Sequence, residues 1–74
     1  MEGFLNFLPD AQYGKVYSLG NLMLVDNQQC EVNLGGYWIK GKIMWDAHQK
    51  EWFFSADLDR STCGLTWGMK MRII

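Results

Sequence analysis

The residues with the greatest potential for catalysis are one histidine and two cysteines. His48 lies between Asp46 and Glu51, and an imidazole beside two carboxylates is suited to acid–base chemistry or to a weak metal site. The same arrangement is typical of a hydrated turn, which we favour. Cys30 and Cys63 lack the close Cys-x-x-Cys spacing of a zinc site, and the sequence has no glycine-rich phosphate loop. We therefore expect no enzyme, no metal and no other cofactor.

The first residues also bear on the state of the cysteines. Met1-Glu2-Gly3-Phe4 lacks the basic flank and long apolar stretch of a secretion signal, and no apolar run approaches the ~20 residues that span a bilayer. The sequence therefore predicts a cytoplasmic protein that does not bind membranes. In that compartment thiols stay reduced, so we expect both cysteines to be free and buried, with a disulfide between them as the alternative.

Aromatic and basic residues alternate in Trp38-x-Lys40-x-Lys42. Small barrels that bind single-stranded nucleic acid combine aromatic side chains with a basic groove in this way. The register predicted below places Glu31 and Asp57 on either side of Lys40, and the net charge is −1. Both features oppose binding to phosphates, so single-stranded nucleic-acid binding is an alternative and not the leading hypothesis.

A small apolar patch is predicted on the otherwise polar face of the sheet. Trp38, Met44 and Phe53 point outward there, with Met44 opposite Phe53. Exposed aromatic side chains next to other apolar groups commonly mark a binding site. The leading hypothesis is a non-enzymatic protein-binding module, with Trp38, Met44, Phe53, Lys40 and Lys42 as its binding residues.

Three other uses of this surface remain open. The apolar N-terminal segment (Phe4, Leu5, Phe7 and Leu8) would cover the patch if it folded over the sheet. The patch would form a homodimer contact if two copies met there. In a further alternative, the protein captures a small ligand with Tyr13, Tyr17 or Trp38 as an aromatic wall.

The elements that position these residues begin with a glycine turn. Gly35-Gly36 separates two β-rich runs, and a two-residue hairpin turn needs positive φ at both positions. This turn places Leu34 opposite Tyr37, Val32 opposite Ile39 and Cys30 opposite Gly41.

A second hairpin is predicted around the connection Ala47-His48-Gln49-Lys50. It places Trp45 opposite Trp52, Ile43 opposite Phe54, Gly41 opposite Ala56 and Ile39 opposite Leu58. The small row Cys30–Gly41–Ala56 crosses the apolar face, where it allows sharp coiling or the close approach of a large ring.

The two registers agree on which face each residue occupies. The inward set is Cys30, Val32, Leu34, Tyr37, Ile39, Ile43, Trp45, Trp52, Phe54, Ala56 and Leu58. The polar outward set is Gln29, Glu31, Asn33, Lys40, Lys42, Asp46, Glu51, Ser55 and Asp57. A slip of one residue in either hairpin would mix these sets, so the pattern selects the register.

The rest of the chain supplies shorter elements. Residues 65–73 alternate, with Leu65, Trp67, Met69, Met71 and Ile73 inward and Lys70 and Arg72 outward. Residues 14–25 read as one or two short strands broken at Gly20-Asn21, residues 1–8 as an apolar arm or helical turn, and residues 59–62 as a loop or a 3₁₀ turn. We therefore predict a single all-β domain over 1–74, a small five-stranded antiparallel SH3-like barrel, with an OB-like barrel as the alternative.

The order of these residues resembles a family of small bacterial proteins of unknown function that are often carried on mobile elements. The resemblance rests on Glu31-Val32, on Gly36-Tyr37-Trp38-Ile39-Lys40-Gly41-Lys42-Ile43, on Trp52-Phe53-Phe54, and on Gly64-Leu65 with Met71-Arg72-Ile73. It departs at residues 26–29 and at Trp67-Gly68. The resemblance implies a small β-barrel without catalytic residues. By analogy, it suggests a phage or plasmid accessory protein that inhibits a host defence protein by occupying its surface.

Overall fold

The computed structural model describes residues 1–73, so Ile74, the last residue of the predicted domain, lies outside the described part. The chain is all-β, and residues 1–73 include no helix long and apolar enough to cross a membrane. Its strands are β1 (Glu2–Asp10), β2 (Gly14–Leu19), β3 (Leu22–Met23), β4 (Gln28–Leu34), β5 (Tyr37–Asp46), β6 (Glu51–Ala56), β7 (Thr62–Gly64) and β8 (Lys70–Arg72).

The eight strands form one open antiparallel sheet in the order β3-β2-β1-β8-β4-β5-β6-β7. The N-terminal segment is a strand, and it joins two parts of the sheet. Residues 2–4 pair with β8, whereas residues 5–10 pair with β2. The predicted five-stranded SH3-like barrel is not confirmed, because the N-terminal segment and the short β3 and β7 extend the sheet to eight strands.

Both predicted hairpins are present. Gly35 and Gly36 have φ values of 60° and 88°, as a two-residue turn between β4 and β5 requires. Cys30 lies opposite Gly41 in the first hairpin, and Gly41 lies opposite Ala56 in the second. The break at Gly20-Asn21 also separates β2 from β3, as predicted.

The predicted pairing of Ile39 with Leu58 is wrong. Strand β6 ends at Ala56, and the chain turns over residues 57–59. Leu58 is therefore 99% exposed and does not belong to the inward set.

Two further residues of the inward set, Leu34 and Tyr37, are exposed at the tip of the first hairpin. The reason is that, within residues 1–73, no neighbouring strand reaches the tip. On one side β8 pairs with β4 only at residues 31 and 32, and on the other side β6 ends opposite Gly41. Side chains beyond those points have no core to enter.

The predicted strand over 65–73 is also shorter than expected. Residues 66–69 form a turn in which the Met69 amide donates to the Thr66 carbonyl oxygen, and Gly68 has a φ of 87°. The turn places Trp67 outside, where it is 70% exposed, contrary to its predicted inward position. Met71 is fully buried, and Lys70 and Arg72 lie on the outer face as predicted.

The core lies on the inner face of the curved sheet. Its buried residues are Leu5, Val16, Tyr17, Leu19, Leu24, Cys30, Val32, Ile43, Trp52, Phe54, Ala56, Leu65 and Met71. The small row across this face accommodates a large ring, as one of the two predicted uses requires. The ring belongs to Phe54, whose Cζ atom would lie 2.5 Å from a Cβ atom at Gly41.

Candidate functional site

Strand β5 positions most of the predicted binding residues. Alternate residues of a strand face the same side, and the buried positions Gly41 and Ile43 define the inner face. Residues 38, 40, 42 and 44 therefore share the outer face, and Phe53 lies opposite Met44 on β6. The structure places all five predicted binding residues on one side of the sheet.

Trp38 is held by two cations from β8. The guanidinium carbon of Arg72 lies 4.1 Å from the centroid of the indole ring, and the ammonium of Lys70 lies 5.9 Å from it. Arg72 is fixed in turn, because its Nε donates a 2.5 Å hydrogen bond to the Glu31 carboxylate. These cation–π contacts hold the indole in place, so a partner that uses it pays less conformational entropy.

A shallow groove of about 490 Å³ runs along one side of this indole. It is lined by Trp38, Ile39, Lys40, Asp57 and Leu58. Leu58 is almost completely exposed, which is unusual for a large apolar side chain next to an aromatic ring. The exposure of Leu58 was not predicted, because the alternation of polar and apolar residues continues two positions beyond Ala56, where β6 ends. The aspartates on either side of Leu58 were the available signal for a turn.

A row of alternating charge crosses the outer face beside the groove. Glu2 lies opposite Arg72, Arg72 opposite Glu31, and Glu31 opposite Lys40. The Asp57 amide donates to the Lys40 carbonyl oxygen at the far end. The predicted neighbours of Lys40 are therefore present, but Glu31 forms its ion pair with Arg72. This partner was not predicted, because the pairing of β8 with β4 joins segments that are distant in the sequence.

A polar row lies next to the charged one. Gln29 is opposite Lys42, Lys42 is opposite Ser55, and Ser55 is opposite Thr62. Among residues 1–73, Lys42 has no carboxylate within ion-pair distance, and the same is true of Lys40. The outer face thus presents two lysines whose charge is not neutralised by direct contact.

Lys40→Ala is expected to change the free energy of unfolding by less than about 1 kcal/mol, because exposed charges contribute little to stability. Lys40 is exposed and makes no ion pair in residues 1–73. Urea denaturation of both proteins measures the difference. A loss above ~2 kcal/mol would mean that Lys40 is desolvated, as in a tight oligomer.

The N-terminal segment does not cover the patch by folding across β5. Strand β1 pairs with β2 and β8 and is separated from β5 by β8 and β4. Tyr13 packs edge-on against Trp45 and Trp52, and the Tyr17 hydroxyl is buried and donates to the Leu65 carbonyl oxygen. Neither tyrosine lies on the outer face beside Trp38.

The groups with potential for catalysis are dispersed. His48 lies in the exposed turn after β5, where its backbone amide donates to the Asp46 carboxylate at 2.9 Å. Within residues 1–73, His, Cys, Asp and Glu side chains form no group of three that could hold a metal ion.

Both thiols are free, as predicted, but Cys63 is only partly buried. Burial, with smaller contributions from Asp57 and Glu31, raises the pKa of Cys30 to about 11. Burial also raises the pKa of Cys63. Both thiols are therefore protonated at neutral pH and are poor nucleophiles.

The outer face of β5 and β6 is thus the strongest candidate site. It combines a preordered indole, an exposed leucine and two lysines that have no ion-pair partner within residues 1–73. No protein-family model, curated protein or solved structure matches this chain.

Proposed function

We propose that this protein is a non-enzymatic protein-binding module that docks its partner on the outer face of β5 and β6. The observation that carries the proposal is the groove between Trp38 and Leu58. Trp38, which contacts two cations, and Leu58, which is 99% exposed, both line one largely apolar depression. A partner side chain that entered it would remove apolar surface of both residues from water.

The surroundings of the groove support the same proposal. Tryptophan is enriched at the energetic centres of protein interfaces, and the rim around such a centre is polar. Here Lys40 and Asp57 line the groove, and Arg72 stacks on the indole. A second apolar pair, Met44 and Phe53, lies further along the same face. The whole face therefore has an apolar anchor at each end and polar groups between them.

The proposed mode of action is occupation of a partner's surface. A module of this kind changes its partner's activity by covering a functional region, without chemistry of its own. Inhibition of a host defence protein by a mobile-element accessory protein is the specific form of this proposal. A homodimer through the same face is the alternative assembly.

We also propose that the curved sheet works as a partly open barrel of the SH3-like kind, with an OB-like barrel as the alternative. Two hydrogen bonds that connect distant strands support this. The Trp52 indole N–H donates to the Lys15 carbonyl oxygen at 2.8 Å, and the Tyr17 hydroxyl donates to the Leu65 carbonyl oxygen at 3.2 Å. They connect β2 to β6 and to the segment after β7. These connections restrict relative movement of the strands, so the outer face belongs to a rigid sheet.

Single-stranded nucleic-acid binding is the second candidate function. Lys70 and Arg72 beside the Trp38 ring favour it, because aromatic side chains interleaved with cations bind bases and phosphates. The charge row opposes it, because Glu2 and Glu31 neutralise these two cations in direct ion pairs. Binding to oligonucleotides that weakens steeply with salt would favour this function over the first.

The protein-binding proposal predicts that Trp38→Ala weakens binding of a polypeptide partner by about 2 kcal/mol or more. The melting temperature should fall by several degrees at most, because Trp38 lies outside the buried core but is half-buried and contacts Arg72. A displayed library of random peptides, sorted on the wild-type protein, provides partners whose affinities for both proteins are then measured. Trp67→Ala is the matched control, because Trp67 also lies outside the buried core but is in the turn before β8, away from the half-buried Trp38.

The library experiment has clear contrary results. Peptides that bind Trp38→Ala as tightly as the wild type would place the binding surface elsewhere. A failure to select any peptide, together with tight binding of oligothymidine at low salt, would replace this function with nucleic-acid binding.

A further inference from the structure

We propose that the segment recognised by the outer face is an extended, acidic stretch of polypeptide with an apolar side chain at each end. This inference rests on the proposed function and names the chemistry of the partner. It follows from the distribution of charge on the outer face and from the spacing of the apolar pairs along β5.

Two cations of the outer face already form ion pairs within the protein. Lys70 contacts Glu2 at 3.6 Å, and Arg72 contacts Glu31 at 2.5 Å, so both are neutralised within the protein. Lys40 and Lys42 have no such partner in residues 1–73. The positive charge available to a partner is therefore concentrated at the centre of β5.

The neighbours of Lys42 are suited to a carboxylate. Gln29 and Ser55 lie directly opposite Lys42 on the two adjacent strands, and Thr62 continues the row. Amide and hydroxyl groups donate hydrogen bonds to a carboxylate without adding negative charge. Lys40 is the weaker position, because Asp57 lies beside it at the rim of the groove.

The apolar pairs fix the length of the segment. Trp38 and Leu58 border one end of the charged region, and Met44 and Phe53 border the other. Trp38 and Met44 are six positions apart on one strand, which corresponds to about 20 Å. An extended segment has nearly the same rise per residue, so its alternate side chains match the spacing of residues 38, 40, 42 and 44. The complementary order is apolar, acidic, acidic, apolar.

The test uses three synthetic peptides and the ¹⁵N-labelled protein. Each peptide has leucine at both ends, two identical residues at alternate positions between them, and serine elsewhere. The two residues are aspartate, asparagine or lysine. We expect the aspartate peptide to shift the amide resonances of β5 and the indole resonance of Trp38, and to bind about fivefold or more tightly than the asparagine peptide. The lysine peptide should bind most weakly.

Two variants separate a specific site from general attraction. The double variant Lys40→Gln/Lys42→Gln should remove the preference for aspartate over asparagine. Lys50→Asn removes one positive charge from the turn after β5, where Asn is compatible with the φ of 56°, and should retain the preference. Loss of the preference in both variants would overturn the proposed lysine site, because it would show that only net charge matters.

The remaining outcomes distinguish this inference from the proposed function. Equal binding of all three peptides, dependent on Trp38, would overturn the acidic partner but would support a protein-binding surface. If none of the three peptides binds, the inference is wrong, and the random-peptide library still decides the proposed function. Oligothymidine that displaces the aspartate peptide and binds more tightly would overturn both.

Discussion

Trp52→Ala is expected to reduce the free energy of unfolding by about 3–5 kcal/mol, the usual cost of removing a buried aromatic side chain. Trp52 is 5% exposed, and its ring lies 5.2 Å from the Trp45 ring and 5.3 Å from the Tyr13 ring, measured between centroids. Its indole N–H also donates to the Lys15 carbonyl oxygen. The substitution therefore removes core packing and one of the two hydrogen bonds between distant strands.

This loss is large relative to the total free energy of unfolding of the domain. A domain of this length has a stability of roughly 4–11 kcal/mol, so the variant should be partly or fully unfolded at 37 °C. Urea denaturation followed by tryptophan fluorescence measures the change. Trp67→Ala is the control, since it deletes the same side chain from a position that is 70% exposed, where the indole N–H makes one exposed hydrogen bond to Asn6, and should cost about 1 kcal/mol or less. Similar losses in the two variants would contradict the packing described above.

The central meander could be predicted because local signals and alternation agree there. Gly35-Gly36 determines the first turn, and the alternation of polar and apolar residues on both sides leaves one register. The observed pairs of Cys30 with Gly41 and Gly41 with Ala56 follow directly. In this part of the chain, strands that follow one another in the sequence are also adjacent in the sheet.

The errors arise where a residue's environment depends on distant strands. Tyr37 continues the alternation of β5, but it is exposed because neither β6 nor β8 reaches the tip of the hairpin. Trp67 fits the alternation of residues 65–73, but the turn before β8 moves it outward. The alternation of polar and apolar residues indicates which side of a strand a residue occupies. It does not indicate whether other parts of the chain cover that side.

In the candidate site, too, the features that depend on local spacing could be predicted and those that depend on distant strands could not. Trp38, Lys40, Lys42 and Met44 could be assigned to one face from their spacing on a single strand, and Phe53 from the hairpin register. The ion pair of Arg72 with Glu31 and the exposure of Leu58 could not be derived in this way. The first requires the position of β8 next to β4, and the second requires the end of β6. These long-range features order the indole and open the groove.

Gly41→Ala is expected to destabilise the protein by about 3 kcal/mol or more, at the upper end of the cost of overpacking a core. A Cβ atom at this position would lie 2.2 Å from the Ser55 carbonyl oxygen and 2.5 Å from Cζ of Phe54. The first atom is backbone in the neighbouring strand, so it moves only if the pairing of β5 with β6 changes. The second belongs to a ring that is 2% exposed and has little space to move.

Gly64→Ala provides the matched control for this prediction. Gly64 also lies in a strand, β7, but a Cβ atom there would have no other atom within 4 Å. Its φ is not positive, so alanine should be tolerated and should stabilise slightly by reducing the entropy of the unfolded chain. Urea denaturation should therefore move the two variants in opposite directions. Equal tolerance of alanine at both positions would show that the Phe54 ring does not lie across Gly41, and the small row through the core would need another explanation.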